Sequence, residues 1–173
     1  KSIKEKFFYE KISTFKEVIN KIKFNKIYKN LPFKSSSYIK KRYFENPSFK
    51  YEFFIINKKS LLIGREIYLR KYKRRIFTLV DFIGLTNHLG KINNLVKSLL
   101  YIKNYEYIDI LCTGNISKFL IKSGFRIKTS QDKNIIPIYF NPFVKKNIEI
   151  FYESSDKKMV FFKADADQDR RNI

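Results

Sequence analysis

Residues 76–114 read "IFTLVDFIGLTNHLGKINNLVKSLLYIKNYEYIDILCTG", and the change of period along this stretch decides the fold class. The first nine residues, 76–84, are apolar apart from Thr78, Asp81 and a closing Gly84, which is the composition of a strand. From Leu89 to Asn104 the spacing lengthens. Ile92, Leu95, Leu99 and Ile102 recur three or four apart and give a helix one apolar face. "YIDILCT", 107–113, then reads as a buried strand. The stretch is a strand-helix-strand unit.

Two further strand-like runs precede it, "FKYEFFIIN" (49–57) and "LLIGREIYLR" (61–70). The polar turns "KKS" and "KYKRR" separate the three runs, and connections this short imply an antiparallel meander. Nearer the start, Phe8, Ile12, Phe15, Ile19 and Ile22 follow helical spacing, which predicts an amphipathic helix over 5–22. After Pro32, one of the serines 35–37 can cap a second helix through Tyr38 and Tyr43, and "ENP" ends it. Downstream of the unit, "ISKFLIKSG" reads as a short helix with Gly124 as its C-cap. "IPIYF" (136–140), "IEIFY" (148–152) and "MVFFK" (159–163) are further strand candidates.

The chain has 173 residues, 44% hydrophobic and 17% aromatic, which suits one domain over 1–173 and excludes a disordered tail. No apolar run reaches the roughly 18 residues of a membrane span, and the charged start lacks the apolar centre of a signal peptide. A single cysteine, Cys112, excludes an internal disulfide and a thiolate-clustered zinc site; a single histidine, His88, excludes paired-histidine motifs. These features favour a reducing cytoplasm. A first residue other than Met fits a piece of a longer protein, whose preceding module is an expected partner. The formal net charge of +21 points to phosphate-rich partners: nucleic acid, a coenzyme, a nucleotide-linked sugar or a lipid surface. Lysines scattered along every segment, beside abundant Ile, Asn, Phe and Tyr, fit an AT-rich coding bias at least as well.

The order of elements resembles the GNAT superfamily of acyl-CoA-dependent N-acyltransferases. In that superfamily a helix follows the fourth strand, and the fifth strand leads to a short helix ending in Gly-Phe. "VDFIG", the helix from Gly90, "IDILCTGN" and "FLIKSGF" sit here in matching order, over roughly residues 5–165, with no counterpart found for the family's first strand. More narrowly, "YIKKRYFENPSFKYEFF" and "KADADQDR" are similar to the second half of two-module GNAT-like proteins encoded with bacterial surface-polysaccharide genes. The resemblance implies an α/β (α+β) fold, a mixed and mostly antiparallel central sheet flanked by helices on both faces. It also implies acetyl-CoA or another acyl-CoA as donor and an amine on a small molecule or sugar as acceptor.

Acyl-CoA chemistry needs a cradle for a pyrophosphate and a polarised thioester carbonyl. The family's Arg/Gln-x-x-Gly-x-Gly/Ala loop is replaced here by "GLTNHLGKIN", where Gly90 and Lys91 before the helix are the candidate phosphate contacts. Gly90 as a plain turn residue is the alternative. Leu120 stands where many members carry a proton-donating tyrosine. Asn115 resembles the asparagine that opens the family's last helix, and an ordinary N-cap would explain it equally. In this family the fourth and fifth strands diverge to form the acyl cleft. Asp81 can there accept the proton of an attacking amine, with backbone N–H groups around Ile83 and Gly84 on the carbonyl oxygen. Asp109 is a parallel candidate base, and Tyr139 a candidate proton donor. Against these stands pairing of Asp81 with a lysine or arginine. Cys112 reads as an inert buried thiol and His88 as an exposed loop residue.

Asp165, Asp167 and Asp169 alternate behind the apolar run 160–162. An extended strand would space them ~6.6 Å apart, too far for one ion at ~2.3–2.6 Å, and an EF-hand loop would need glycine where Arg170 stands. A salt-bridged terminal motif, neutralised locally by Arg170 and Arg171, is the better reading. Three functions remain open from sequence: acyl transfer from acyl-CoA, transfer from aminoacyl-tRNA, or a non-catalytic GNAT-like module. Cations interleaved with aromatics in "YIKKRYF" and "KYKRR" would serve nucleic-acid binding in the last two.

Overall fold

The computed structural model describes residues 9–24, 32–136, 146–156, 158–166 and 169. Among them five strands form one sheet in the order β1-β2-β3-β4-β5. These are β1 (Tyr9–Ile12), β2 (Glu52–Ile56), β3 (Ser60–Leu69), β4 (Arg74–Ile83) and β5 (Ile108–Ile110). β1 to β4 pair antiparallel in succession, and β5 joins β4 in parallel. The parallel step needs a crossover, supplied by α3 (Asn93–Lys97), which widens into a π turn over Ser98–Ile102. The observed sheet is therefore mixed and mostly antiparallel.

Helices cover both faces. On one, Phe54, Leu62, Phe77, Leu79 and Phe82 of the sheet pack with Leu95 of α3, Leu99 of its π-turn extension and Leu120 of α4 (Ser117–Lys122). On the other, Phe53, Ile55, Leu61, Ile63, Val80 and Ile83 pack with Val18 of α1 (Phe15–Lys21), Ile39 of α2 (Ser36–Ile39) and Tyr43 of its π-turn extension, Lys40–Phe44. A sheet sandwiched in this way loses the apolar-polar alternation, which is why "EFFII" is nearly all apolar. Among the described residues no helix is long and apolar enough to cross a membrane.

Residues 5–22 do not form one helix. β1 precedes α1, and Thr14 between them is the reason: Glu17 N–H donates to Thr14 Oγ1 at 3.3 Å while Thr14 N–H donates to Glu17 Oε2 at 2.9 Å. This reciprocal box starts a helix and excludes Thr14 from its interior. Ile12 instead sits opposite Phe53 in the sheet, so the first strand lacking in the sequence reading lies at Tyr9–Ile12. Ser35 caps α2 as expected, accepting from Tyr38 N–H at 3.1 Å. Gly124, past the end of α4, has φ +92°, the left-handed conformation that glycine adopts without strain.

The strand candidates beyond Gly124 fare differently. "IPIYF" lies outside the described residues except for Ile136. "IEIFY" is irregular, with Phe151 87% exposed. Of "MVFFK", only Phe162 pairs, in an isolated antiparallel bridge with Cys112. High strand propensity alone does not make a ladder.

One irregularity positions the site. Ile63 faces Asp81 but Gly64 faces Leu79, so Val80 is an extra residue in β4, a β-bulge. The bulge brings Val80 and Asp81 to the same face, beside α1 and α2.

Candidate functional site

β4 and β5 pair only from Phe77 to Leu79 against Ile108 to Ile110. Beyond that ladder, the chain's own segment 161–164 lies between the two strands. On the β5 side Thr113 N–H donates to Phe161 O at 2.9 Å, and Phe161 N–H to Thr113 Oγ1 at 3.0 Å. On the β4 side Ala164 N–H donates to the carbonyl of the bulged Val80 at 3.0 Å. Phe162, 4% exposed, drops into the core beside Phe82 with ring centroids 6.2 Å apart. Fit is close: a Cβ on Gly114, at φ +82°, would stand 2.9 Å from Met159 O.

The face turned to α1 and α2 carries a buried ionic layer around this segment. Lys34, just before the cap of α2, donates to Asp81 Oδ1 and, at 2.8 Å, to Asp165 Oδ2. Tyr43 Oη donates to Asp81 Oδ2 at 2.5 Å, and Phe82 N–H reaches Asp81 Oδ1 at 2.8 Å. Further along, Arg65, Thr78 and Asp109 lie side by side across three strands. Lys163 Nζ stands 3.8 Å from Asp109 and 3.5 Å from Thr78 Oγ1. Arg65 Nε donates to Asp169 Oδ1 at 2.7 Å, and Tyr51 Oη to Asp169 Oδ2 at 2.6 Å. Every cation in the set has a carboxylate, as burial of charge requires.

The charges shift one another. Burial, the largest influence, raises the pKa of Asp81 and Asp165 raises it further, with Lys34 opposing. Lys34 itself is pulled down by burial, but Asp81 and Asp165 outweigh that and hold it above the ordinary lysine value. Burial likewise raises Asp109, with Lys163 opposing, and Asp109 Oδ1 has no hydrogen-bond partner among the described residues. A carboxyl whose folded pKa lies above its unfolded one contributes stability present below the ordinary carboxylate range and lost as pH rises through the raised value. Asp109→Asn removes that dependence. Urea unfolding at about pH 4, 5.5 and 7 should show the variant gaining on the parent as pH rises; a difference that stays flat would refute the assignment.

The expected phosphate loop buries His88 and Leu89 and leaves Leu85, Asn87 and Lys91 exposed. Residues Thr86–Lys91 form a 3-10 turn clasped by Ser60, whose Oγ accepts from Leu85 N–H at 3.2 Å and pairs with His88 Nδ1 at 2.8 Å. His88 is therefore buried, not exposed, because Ser60 supplies its polar partner. Gly84, at φ +148°, lies so close to Ser60 that a Cβ would meet Ser60 Cα at 2.8 Å. Gly90 rests on Phe119 of α4. His88 N–H donates to Leu85 O at 2.8 Å, Ile92 N–H to Ser123 Oγ at 3.2 Å, and Asn94 N–H to its neighbour's Asn93 Oδ1 at 2.9 Å. The N–H groups of His88, Ile92 and Asn94 are thus engaged within the protein, while Lys91 is exposed.

Of the residues singled out from sequence, Asp81 and Asp109 come together on one sheet face, either side of the inserted segment. Both are sealed, Asp81 fully so at 0% exposure. Ile83 and Gly84 are buried against β3 and Ser60. Lys91 and Asn115 are exposed, apart from the ionic layer. Asn115 does not cap α4, whose N-cap is Ile116 without a side-chain bond; the helix starts one residue late. Tyr139 lies outside the described residues. Leu120 is core, and burial lifts the Cys112 thiol to about 11, consistent with an inert thiol. Asp165 and Asp169 are ion-paired as expected, by Lys34 and Arg65; Asp167, Arg170 and Arg171 lie outside the described residues. No cluster of the described His, Cys, Asp and Glu residues could hold a metal ion. Lys34, Lys163 and Arg65 were not foreseen, since nothing local marks three cations among 37.

No family model and no curated protein matches the chain. Among solved structures it is similar to an aminoglycoside acetyltransferase, meta-AAC0020, from an uncultured soil metagenomic sample, in complex with sisomicin. Identity is 11% over 87% of this chain and 97% of that chain, with a TM-score of 0.46.

Proposed function

We propose that this chain is an N-acyltransferase-like module, GNAT-like in its order of elements, whose donor gap is sealed by its own C-terminal segment. The observation that carries this is the placement of 161–164 between β4 and β5, bonded to Val80 on one side and Thr113 on the other. In a GNAT-like enzyme the acyl donor would enter there. With Phe162, Lys163 and Ala164 all buried in that position, the module serves acyl transfer as a binding or completing half of a larger protein. A preceding module of the same chain would supply the donor site. The acceptor in this reading is an amine on a sugar or cell-surface precursor.

Calorimetric titration of the whole chain with acetyl-CoA tests it. The expected result is no binding at micromolar coenzyme, in low or high salt. Micromolar binding would overturn the reading and support a second one, favoured by the pair of carboxyls flanking the gap: acyl-CoA-dependent transfer after the segment withdraws. Asp81, its pKa raised by burial, would then be the group to take the proton of the amine.

A further inference from the structure

The β3–β4 hairpin runs past the covered part of the sheet as an arm. Burial ends at Arg65 on β3 and resumes at Ile76 on β4, while Arg70 to Arg75 are exposed throughout. The tip, "RKYKRR" (70–75), holds five cations and one tyrosine. Two of the cations are engaged: Arg74 with Glu106 at 3.5 Å, and Arg75 with Glu66 at 3.6 Å and with Lys103 O at 2.7 Å. Arg70, Lys71 and Lys73 have no carboxylate partner among the described residues. Tyr72 is 64% exposed with Lys71 Nζ 5.6 Å from its ring centre, and Tyr68, opposite Arg75, is 52% exposed. Lys73, at φ +49°, takes the left-handed conformation that closes the turn.

We propose that this arm is a docking surface for single-stranded nucleic acid. Three uncompensated cations can follow a phosphate backbone while two exposed rings offer flat faces to unstacked bases, the combination that sequence-tolerant single-strand binding uses. An acidic peptide would leave the rings unused. An anionic membrane also attracts cations, but lipid insertion needs an apolar wedge, and residues 70–75 carry none; Ile102, exposed near the arm's base, makes lipid the outcome to exclude. This inference does not rest on the acyl-transfer reading.

The test is fluorescence anisotropy of a labelled short oligouridylate with the whole chain over a range of salt. Two arm variants are compared, Arg70→Ala/Lys71→Ala/Lys73→Ala and Tyr68→Ala/Tyr72→Ala. The control is Lys16→Ala/Lys23→Ala/Lys122→Ala, which removes equal charge from exposed sites elsewhere. The charge variant on the arm should reduce the slope of log affinity against log salt by about 2. The ring variant should weaken binding at least about fivefold with the slope kept, and the control should bind like the parent. Equal weakening by the control would show that only the overall charge matters and overturn the proposal. So would absence of oligonucleotide binding, or parent-like binding by both arm variants. Arm-dependent co-sedimentation with phosphatidylserine vesicles in place of oligonucleotide binding would assign the arm to lipid and overturn it too.

Discussion

Lys34→Ala is expected to cost about 3–5 kcal/mol of folding stability, the usual loss when one partner of a buried ion pair is removed and the other is left behind. Here two carboxylates are left. Asp81 keeps Tyr43 and Phe82 N–H, and Asp165 keeps Phe162 N–H at 2.9 Å, but neither retains a cation among the described residues. Against a typical total of about 5–15 kcal/mol, the variant keeps only a fraction of its stability. The loss depends on pH in a defined direction. Without Lys34 the already raised pKa of Asp81 rises further, so the variant recovers in acid as that carboxyl takes up a proton. At the alkaline end the parent loses the contribution of Lys34 as pH climbs through that lysine's raised value, and the two proteins converge. Urea midpoints across this range are the measurement. A cost below about 1 kcal/mol at neutral pH, as for an exposed pair, would mean that Lys34 is not buried between its carboxylates. Adding Asp81→Asn and Asp165→Asn to Lys34→Ala should return part of the loss, because the stranded charges are then gone.

Phe162→Ala is the second large effect, at about 3–5 kcal/mol for a buried phenylalanine whose neighbours cannot close over the space. At roughly 2–4 °C per kcal/mol for a domain of this size, melting should fall by between about 6 and 20 °C. Phe151→Ala, only eleven positions away but almost fully exposed, should leave the melting temperature nearly unchanged. The contrast measures the inserted segment directly. Should Phe162→Ala behave like Phe151→Ala, the segment is a loose surface strap and the gap is open to ligands. Acetyl-CoA can be added to the same melts: a dose-dependent rise in the Phe162→Ala variant alone would show that removing the ring clears a coenzyme path.

The meander could be read from the sequence because its strands are dense in Phe, Ile and Leu and its turns are short, so each strand has only its neighbour to pair with. α2 was legible through a serine with no competing partner. The start was misread because Ile12, Phe15, Ile19 and Ile22 satisfy helical spacing across a chain reversal. The Thr14-x-x-Glu17 signature, present in the sequence, marks the break. Near the C-terminus, local propensity favoured strands, but of the described residues there only Phe162 is β-bridged to the rest of the fold, opposite Cys112. Asp81 and Asp109 stood out as charges in apolar strands, but their partners did not. Lys34 is 47 residues from Asp81 and 131 from Asp165, and pairing over such distances leaves no local trace. The bulge at Val80 was equally silent, since it adds a residue without changing composition.

The long span between the paired charges bears on when the protein can fold. A chain emerging at about 5–20 residues per second presents Lys34 and Asp81 many seconds before Asp165 and Asp169 exist. Until then Arg65 has no Asp169, Asp109 has no Lys163, and the gap beside Val80 is an open sheet edge. The ribosome-bound intermediate therefore carries mismatched interior charge and an unpaired backbone edge, and its sheet cannot be completed piecemeal. Native structure should appear in one late step once residues 161–169 arrive. During that wait the nascent chain is at its most vulnerable to proteases and to pairing with a second copy of itself.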